Sequence, residues 1–151
     1  MTQPAASEVE VVVAAPPRVV FEHLRDPRNY VGLSPLVVEV RGIREEPDAV
    51  HYVAVERFRF AGLTYDNLIR VELRADDSDP SRLWVGGDVD SPGNVQLRYG
   101  STITPEGDGS RVVDRIDVTA PFGLRRFAIG RASEVQVARG RILAQRLGAT
   151  R

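Results

Sequence analysis

From Leu36 to Val118 the chain divides into short alternating runs separated by turn-forming residues, and this clustering constrains the fold more than any other feature. The runs are 37–45, 50–60, 63–74, 82–89, 95–104 and 111–119. Turn signals at Glu46-Pro47-Asp48, Ala61-Gly62, Asp76 to Ser81, Asp90 to Asn94 and Pro105 to Ser110 part them. One more strand, EVEVVVA from Glu8 to Ala14, comes first, after small polar residues 1–7 that are expected to fray. Pro16-Pro17 stop it, and Pro17 suits the first position of a helix, PRVVFEHLRD, with Val20, Phe21 and Leu24 on one face. A second helical turn at 28–33 closes at Ser34-Pro35, and the tail 121–147 reads as one long helix stopped at Gly148. Gly130 and Gly140 weaken that helix by about 1 kcal/mol each relative to Ala. Strands that cluster rather than alternate with helices predict an α+β fold in a single domain 1–151: a curved seven-stranded antiparallel sheet, two short helices between strands one and two, and the C-terminal helix in the concavity.

The Ala61-Gly62 turn allows a register to be derived. If Phe60 pairs with Leu63, then Phe58 meets Tyr65, Glu56 meets Asn67, Ala54 meets Ile69 and Tyr52 meets Val71 on one face. The other face pairs Arg57 with Asp66, Val55 with Leu68, Val53 with Arg70 and His51 with Glu72, which suits an exposed surface. The first set is therefore expected to face the core. It carries two residues that a plain core would not choose, Glu56 and Asn67, because a buried carboxylate is costly unless it is partnered. In strand 111–119 the alternation that turns Val112, Ile116 and Val118 inward also turns Asp114 inward. On the terminal helix, Leu124, Phe127, Ala128, Val135, Ala138 and Ile142 form one stripe with Arg131 in its middle. Arg131 is thus expected either to join the two acids in an internal network or anion clamp, or to snorkel past the stripe to solvent. Ile129, Val137, Leu143 and Leu147 leave a second apolar patch, for packing under the first helices or for a homodimer contact.

Composition narrows the chemistry. There is no Cys, the only histidines are His23 and His51, and all 20 basic residues are Arg. Thiolate nucleophiles, lysine Schiff bases, a P-loop lysine and a three-histidine zinc site are excluded. The missing Lys fits a codon bias that leaves the net charge of −1 untouched, and a charge so close to zero does not suit a nucleic-acid partner. Seven Arg after Pro121 read as a solvated helix face. His23 lies beside the apolar face of its helix and His51 points outward, so neither a metal site nor a cofactor is expected. The N-terminus MTQPAASEVE has no signal-like pattern, and the longest apolar run, Val11 to Ala15, is far short of the roughly 20 residues of a membrane span. A cytoplasmic protein without integral membrane association is expected.

The run EVEVVVAAPPRVVFEHLRDPRNYVGLSPLVVEV, with GDGSRVVDRIDV before the last helix, resembles the START-like superfamily, also called SRPBCC or Bet v 1-like, and its bacterial polyketide cyclase/dehydrase group. The element order agrees over nearly the whole chain. The resemblance implies a helix-grip fold enclosing a cavity for lipid-, sterol- or polyketide-like molecules, with no cofactor. Gly32-Leu33 stands where many relatives have Trp, which implies a reshaped cavity mouth. The first functional expectation is a small hydrophobic ligand in a cavity lined by Tyr30, Phe58, Tyr65, Tyr99, Val135 and Trp84, its polar end met by Glu56, Asn67, Asp114 and Arg131. The second is a cofactor-free cyclase, aromatase or dehydratase in which Glu56 or Asp114 moves a proton and Arg131 or a Tyr steadies an enolate. The third is a co-chaperone-like or stress-response interaction module using the second helix patch.

Overall fold

A computed structural model describes residues 2–148. Strand β1 (Thr2–Val13) is followed by helix α1 (Pro17–Leu24), a 3-10 turn (Pro27–Tyr30), and strands β2 (Val37–Glu45), β3 (Val50–Phe60), β4 (Leu63–Asp76), β5 (Leu83–Ser91), β6 (Val95–Glu106) and β7 (Gly109–Pro121). A second 3-10 turn (Phe122–Leu124) leads into helix α2 (Arg125–Gly148). The seven strands form one antiparallel sheet in the order β1-β7-β6-β5-β4-β3-β2. The expected fold class is therefore the observed one. The first strand starts earlier than expected: Thr2 already pairs with Pro121, because β7 runs on far enough to offer a ladder to residues whose own sequence carries no strand signal.

Local chemistry accounts for each element's ends. Pro17 opens α1 where no N–H is needed, and the helix buries Val20, Phe21 and Leu24. Asp26 caps the 3-10 turn by accepting from the Arg28 N–H, at 3.1 Å. Edge strand β2 carries two irregularities, between Val37 and Glu39 and between Arg41 and Arg44, which keep it from presenting a flat edge. The β3–β4 register matches the expected one pair for pair, from Phe60 with Leu63 to His51 with Glu72. Ala61 and Gly62 both have positive φ, 52° and 78°, the backbone of the turn whose twist suits a two-residue hairpin.

The inward residues of every strand converge on one core. Tyr52, Ala54, Ile69, Val71, Leu83, Val85 and Ile103 are buried, as are Val112, Asp114, Ile116, Val118 and Ala120 along the strict alternation of β7. Helix α2 lies against β1 and β7, burying Ala132, Gln136 and Leu143. Its sheet-facing side is thus turned roughly 100° from Arg131, away from the stripe read off the helical wheel. Of the second patch, Leu143 is buried and Ile129 and Leu147 pack against the core, leaving Val137 exposed.

Ala61 holds a left-handed backbone that its Cβ disfavours by about 1 kcal/mol. Ala61→Asn or Ala61→Gly is expected to raise the melting temperature by about 2 °C in thermal denaturation, whereas Ala61→Val lowers it.

Candidate functional site

Between the sheet and α2 lies a cavity of about 740 Å³. Strands β3 and β4 line one wall in tiers: Tyr52 with Val71, Ala54 with Ile69, Glu56 with Asn67, then Phe58 with Tyr65. Successive tiers are about 6.7 Å apart, so Glu56 stands roughly 13 Å from Tyr52. Val89, Leu97, Tyr99 and Ile116 extend the wall, and Leu124, Phe127, Ala128, Arg131, Val135 and Arg139 of α2 and the turn before it close the space. Exposure grows in one direction. Tyr30, Tyr52 and Tyr99 are buried, whereas Tyr65, Leu124 and Phe127 are open to solvent, so the mouth lies at the Phe58–Tyr65 end.

Polar groups gather at two stations. At the base, the Tyr30 hydroxyl donates to the Leu24 carbonyl at 2.8 Å. The Tyr30, Tyr52 and Tyr99 hydroxyls lie close enough together to influence one another electrostatically. Tyr52 and Tyr99 both line the cavity here. Burial pushes all three phenols upward, and they stay neutral. Beside them the Arg139 guanidinium lies 5.5 Å from the Tyr99 ring centre and forms an ion pair with Asp114. Burial opposes the Arg139 charge, but the Asp114 carboxylate more than offsets it and the guanidinium is held above its ordinary value. Ser101 Oγ also donates to Asp114, at 3.4 Å, and Gln136 Nε2 donates to the Asp114 carbonyl at 2.6 Å.

Near the mouth, Glu56 faces Asn67. Burial pushes the Glu56 carboxyl up, while the Asn67 hydrogen bond and the Arg131 charge pull it partly back. Arg131 spans two rings, 5.6 Å from the Phe58 centre and 6.0 Å from the Phe127 centre, and pairs with Glu134 at 3.6 Å. Phe58 and Tyr65 stack with centroids 5.4 Å apart.

Eight of the residues expected at the site line this cavity: Tyr30, Glu56, Phe58, Tyr65, Asn67, Tyr99, Arg131 and Val135. Two do not. Trp84 lies on the convex face with its indole across Gly86 and Gly100, a cross-strand pair where any Cβ would strike the ring. The parity of β5 decides this, since Leu83 and Val85 take the inward places. Asp114 points inward but sits behind the lining, held by Arg139 and Ser101. The expectation that Arg131 joins both acids is also corrected. Of the two inward acids Arg131 acts only on Glu56, and Asp114 is met by Arg139, which sequence reasoning missed because eight residues of helix turn it about 80° from Arg131, just past the edge of the stripe. Tyr52 was missed as well, although its place in the tier below Ala54 was available from the register. Gly32 and Leu33 do not line the cavity: Gly32, at φ 80°, lies beside Arg146, which bonds the Asn29 and Val31 carbonyls and pins the end of α2 to this loop. His23 meets Arg146 Nη1 at 3.2 Å and His51 lies 3.7 Å from Glu46, so the two histidines serve different contacts. Among the described residues no group of acids and histidines is placed to hold a metal ion, and no helix is long and apolar enough to cross a membrane.

Two predictions test this geometry. The Asp114 and Arg139 side chains are each 11% exposed, so Asp114→Asn strands a buried guanidinium and is expected to cost about 3 kcal/mol in denaturant unfolding; Asp114→Asn with Arg139→Met recovers part of that loss. Glu56 makes stability depend on pH. Its folded value is raised above the ordinary 4.5, so the folded state binds its proton more tightly and stability falls as pH climbs through that interval. Glu56→Gln is therefore expected to raise the melting temperature at neutral pH, with the gain vanishing well below pH 4.5.

Comparison with known proteins places the chain. The family model described as polyketide cyclase / dehydrase and lipid transport matches residues 4–148. Among solved structures, the Zhui aromatase/cyclase from Streptomyces sp. R1128 superposes with a TM-score of 0.77 at 17% identity, covering 97% of this chain and 94% of that one. TTHA0849 from Thermus thermophilus gives 0.61 at 24% identity, with 96% and 98% covered. The STAR-related lipid transfer protein from Xanthomonas axonopodis gives 0.63 at 14%, with 91% and 85% covered. At these identities the likenesses speak for the fold. No curated protein sequence matches. The seven-stranded sheet gripping a long C-terminal helix and the family match over nearly the whole length make this chain a member of the polyketide cyclase/dehydrase and lipid transport family, within the START-like, SRPBCC or Bet v 1-like superfamily.

Proposed function

We propose that the protein binds one small, mostly apolar molecule in the cavity between the sheet and α2. The observation that carries this reading is the cavity itself: about 740 Å³ walled by Ala54, Ile69, Val71, Leu97, Ile116 and Val135, with polar groups confined to its two ends. No buried side-chain nitrogen or oxygen among the described residues lacks a hydrogen-bond partner, so the walls hold no buried polar group that only a ligand could satisfy. Tyr52 and Tyr99 present phenol hydroxyls at the base, and Asn67, Glu56 and Arg131 offer both donors and acceptors near the mouth. A lipid-, sterol- or polyketide-like molecule with oxygen functions towards its ends fits this arrangement.

A second reading is supported by one residue. Glu56 lines the cavity, is held by an amide rather than by a guanidinium contact, and has its carboxyl pushed up by burial, as a group that moves protons near neutral pH requires. In a cofactor-free cyclisation or dehydration it would take the proton beside a ketone, with Arg131 steadying the enolate. Asp114, tied to Arg139, is not available for that role.

One experiment addresses both readings. Protein as expressed is examined by native mass spectrometry for a co-purifying small molecule, and then titrated with the apolar fluorophore anilinonaphthalene sulfonate. Ala54→Phe, which projects a ring into the middle tier, is expected to weaken binding at least tenfold. Unchanged affinity in that variant overturns the cavity reading. Turnover of a poly-β-ketone analogue that Glu56→Gln abolishes without loss of binding selects the enzyme reading, and binding without turnover selects the carrier.

A further inference from the structure

The rim of the cavity carries exposed apolar side chains, two of which, Phe122 and Leu63, belong to neither the core nor the cavity lining. Phe122, in the turn before α2, is 85% exposed, and Leu63, at the tip of the β3–β4 hairpin, is 71% exposed. Phe127, on the first turn of α2, is 67% exposed. The two elements face each other across the mouth: Phe58, Arg59 and Tyr65 line it from the hairpin, and Leu124, Phe127 and Arg131 from the helix, with Arg131 bridging Phe58 and Phe127. The charge here departs from that of the whole chain, which is −1. Arg59 lines the mouth and Arg126 immediately precedes Phe127 in the first turn of α2, and both are exposed. Of the nearby acids, Glu134 pairs with Arg131, Glu56 is set below the rim facing Asn67, and Asp66 is on the opposite face of β4, bound to Arg57 at 2.8 Å.

We propose that this rim docks on the surface of an anionic lipid bilayer, with Phe122, Leu63 and Phe127 entering the boundary between headgroups and acyl chains and Arg59 and Arg126 meeting lipid phosphates. The chemistry favours a bilayer over an acidic protein. The apolar side chains stand on two separate tips rather than in a groove, and a hairpin tip and a helix start offer no unpaired strand edge or trough for a partner's strand or helix. A fluid interface accepts protruding rings that a packed protein interface would have to enclose. Docked this way, the cavity mouth opens against the membrane, and an apolar ligand passes between bilayer and cavity without crossing water.

The test is co-sedimentation of the full chain with vesicles of phosphatidylcholine alone and of a roughly seven-to-three mixture with phosphatidylserine. Binding is expected for the mixed vesicles only, and it falls as salt is raised to about 0.5 M. Phe122→Ser and Leu63→Ser are each expected to lower the partition at least fivefold, and Arg126→Glu about tenfold. None of these residues lines the cavity, and all are exposed, so the fold, followed by far-UV circular dichroism, stays intact. Val38→Ser, an exposed apolar position on β2, keeps wild-type binding. Ala54→Phe also keeps it, which separates a failure of the cavity reading from a failure of this one. The proposal is overturned if mixed vesicles bind no better than phosphatidylcholine, if Phe122→Ser and Arg126→Glu bind like wild type, or if Val38→Ser loses as much as they do.

Discussion

The attachment of α2 to the sheet at Asp114 is the interaction on which the rest depends. Gln136 is fully buried, and its amide donates to the Asp114 carbonyl and to the Ser7 carbonyl while accepting from Ser7 Oγ at 2.9 Å. One turn further along α2, Arg139 closes on the Asp114 carboxylate. Apolar packing alone specifies the rotation of this helix loosely, since among the described residues Ala132 and Leu143 are its only other buried side chains, with Ile129, Ile142 and Leu147 partly buried against the core. Polar groups buried against each other tolerate little sliding, because any shift leaves an unpaired donor or charge in a low dielectric. Rotation and height of the helix are therefore set together, and with them the width of the cavity.

That attachment also divides the labour of the charged residues. Two acids face inward, and each has its own arginine. Asp114 is neutralised by Arg139 at the base, where its role is to hold the helix. Glu56 feels the Arg131 charge without forming an ion pair with it, and keeps a carboxyl whose proton is bound more tightly than usual. One acid is thereby committed to structure while the other stays available to a ligand. The base holds buried phenols and a neutralised ion pair, and the mouth is aromatic and carries Arg131, so the cavity differs in character along its length.

The concave half of the hairpin was legible in the sequence because side-chain period and turn length are local: Tyr52, Ala54, Glu56 and Phe58 on β3 and their partners on β4 follow from a two-residue turn at Ala61-Gly62. The same parity rule placed Asp114, Ile116 and Val118. Trp84 shows parity prevailing over residue type, since this large aromatic on β5 turns outward to cover Gly86 and Gly100 instead of lining the cavity. The extension of β1 back to Thr2 was hidden because its cause lies in β7, more than a hundred residues away, whose free ladder recruits small polar residues.

Sequence by itself determined the elements, their antiparallel order, the hairpin register and the set of chemically capable residues, because each rests on contacts between near neighbours or on composition. Which arginine meets which acid was decided only in three dimensions. The pattern of α2 is nearly as compatible with Arg131 facing the sheet as with Arg139, and the choice between them is a rotation of about 80° that no local rule specifies. The buried bonds of Gln136 to two strands make that choice, since only one rotation satisfies them all.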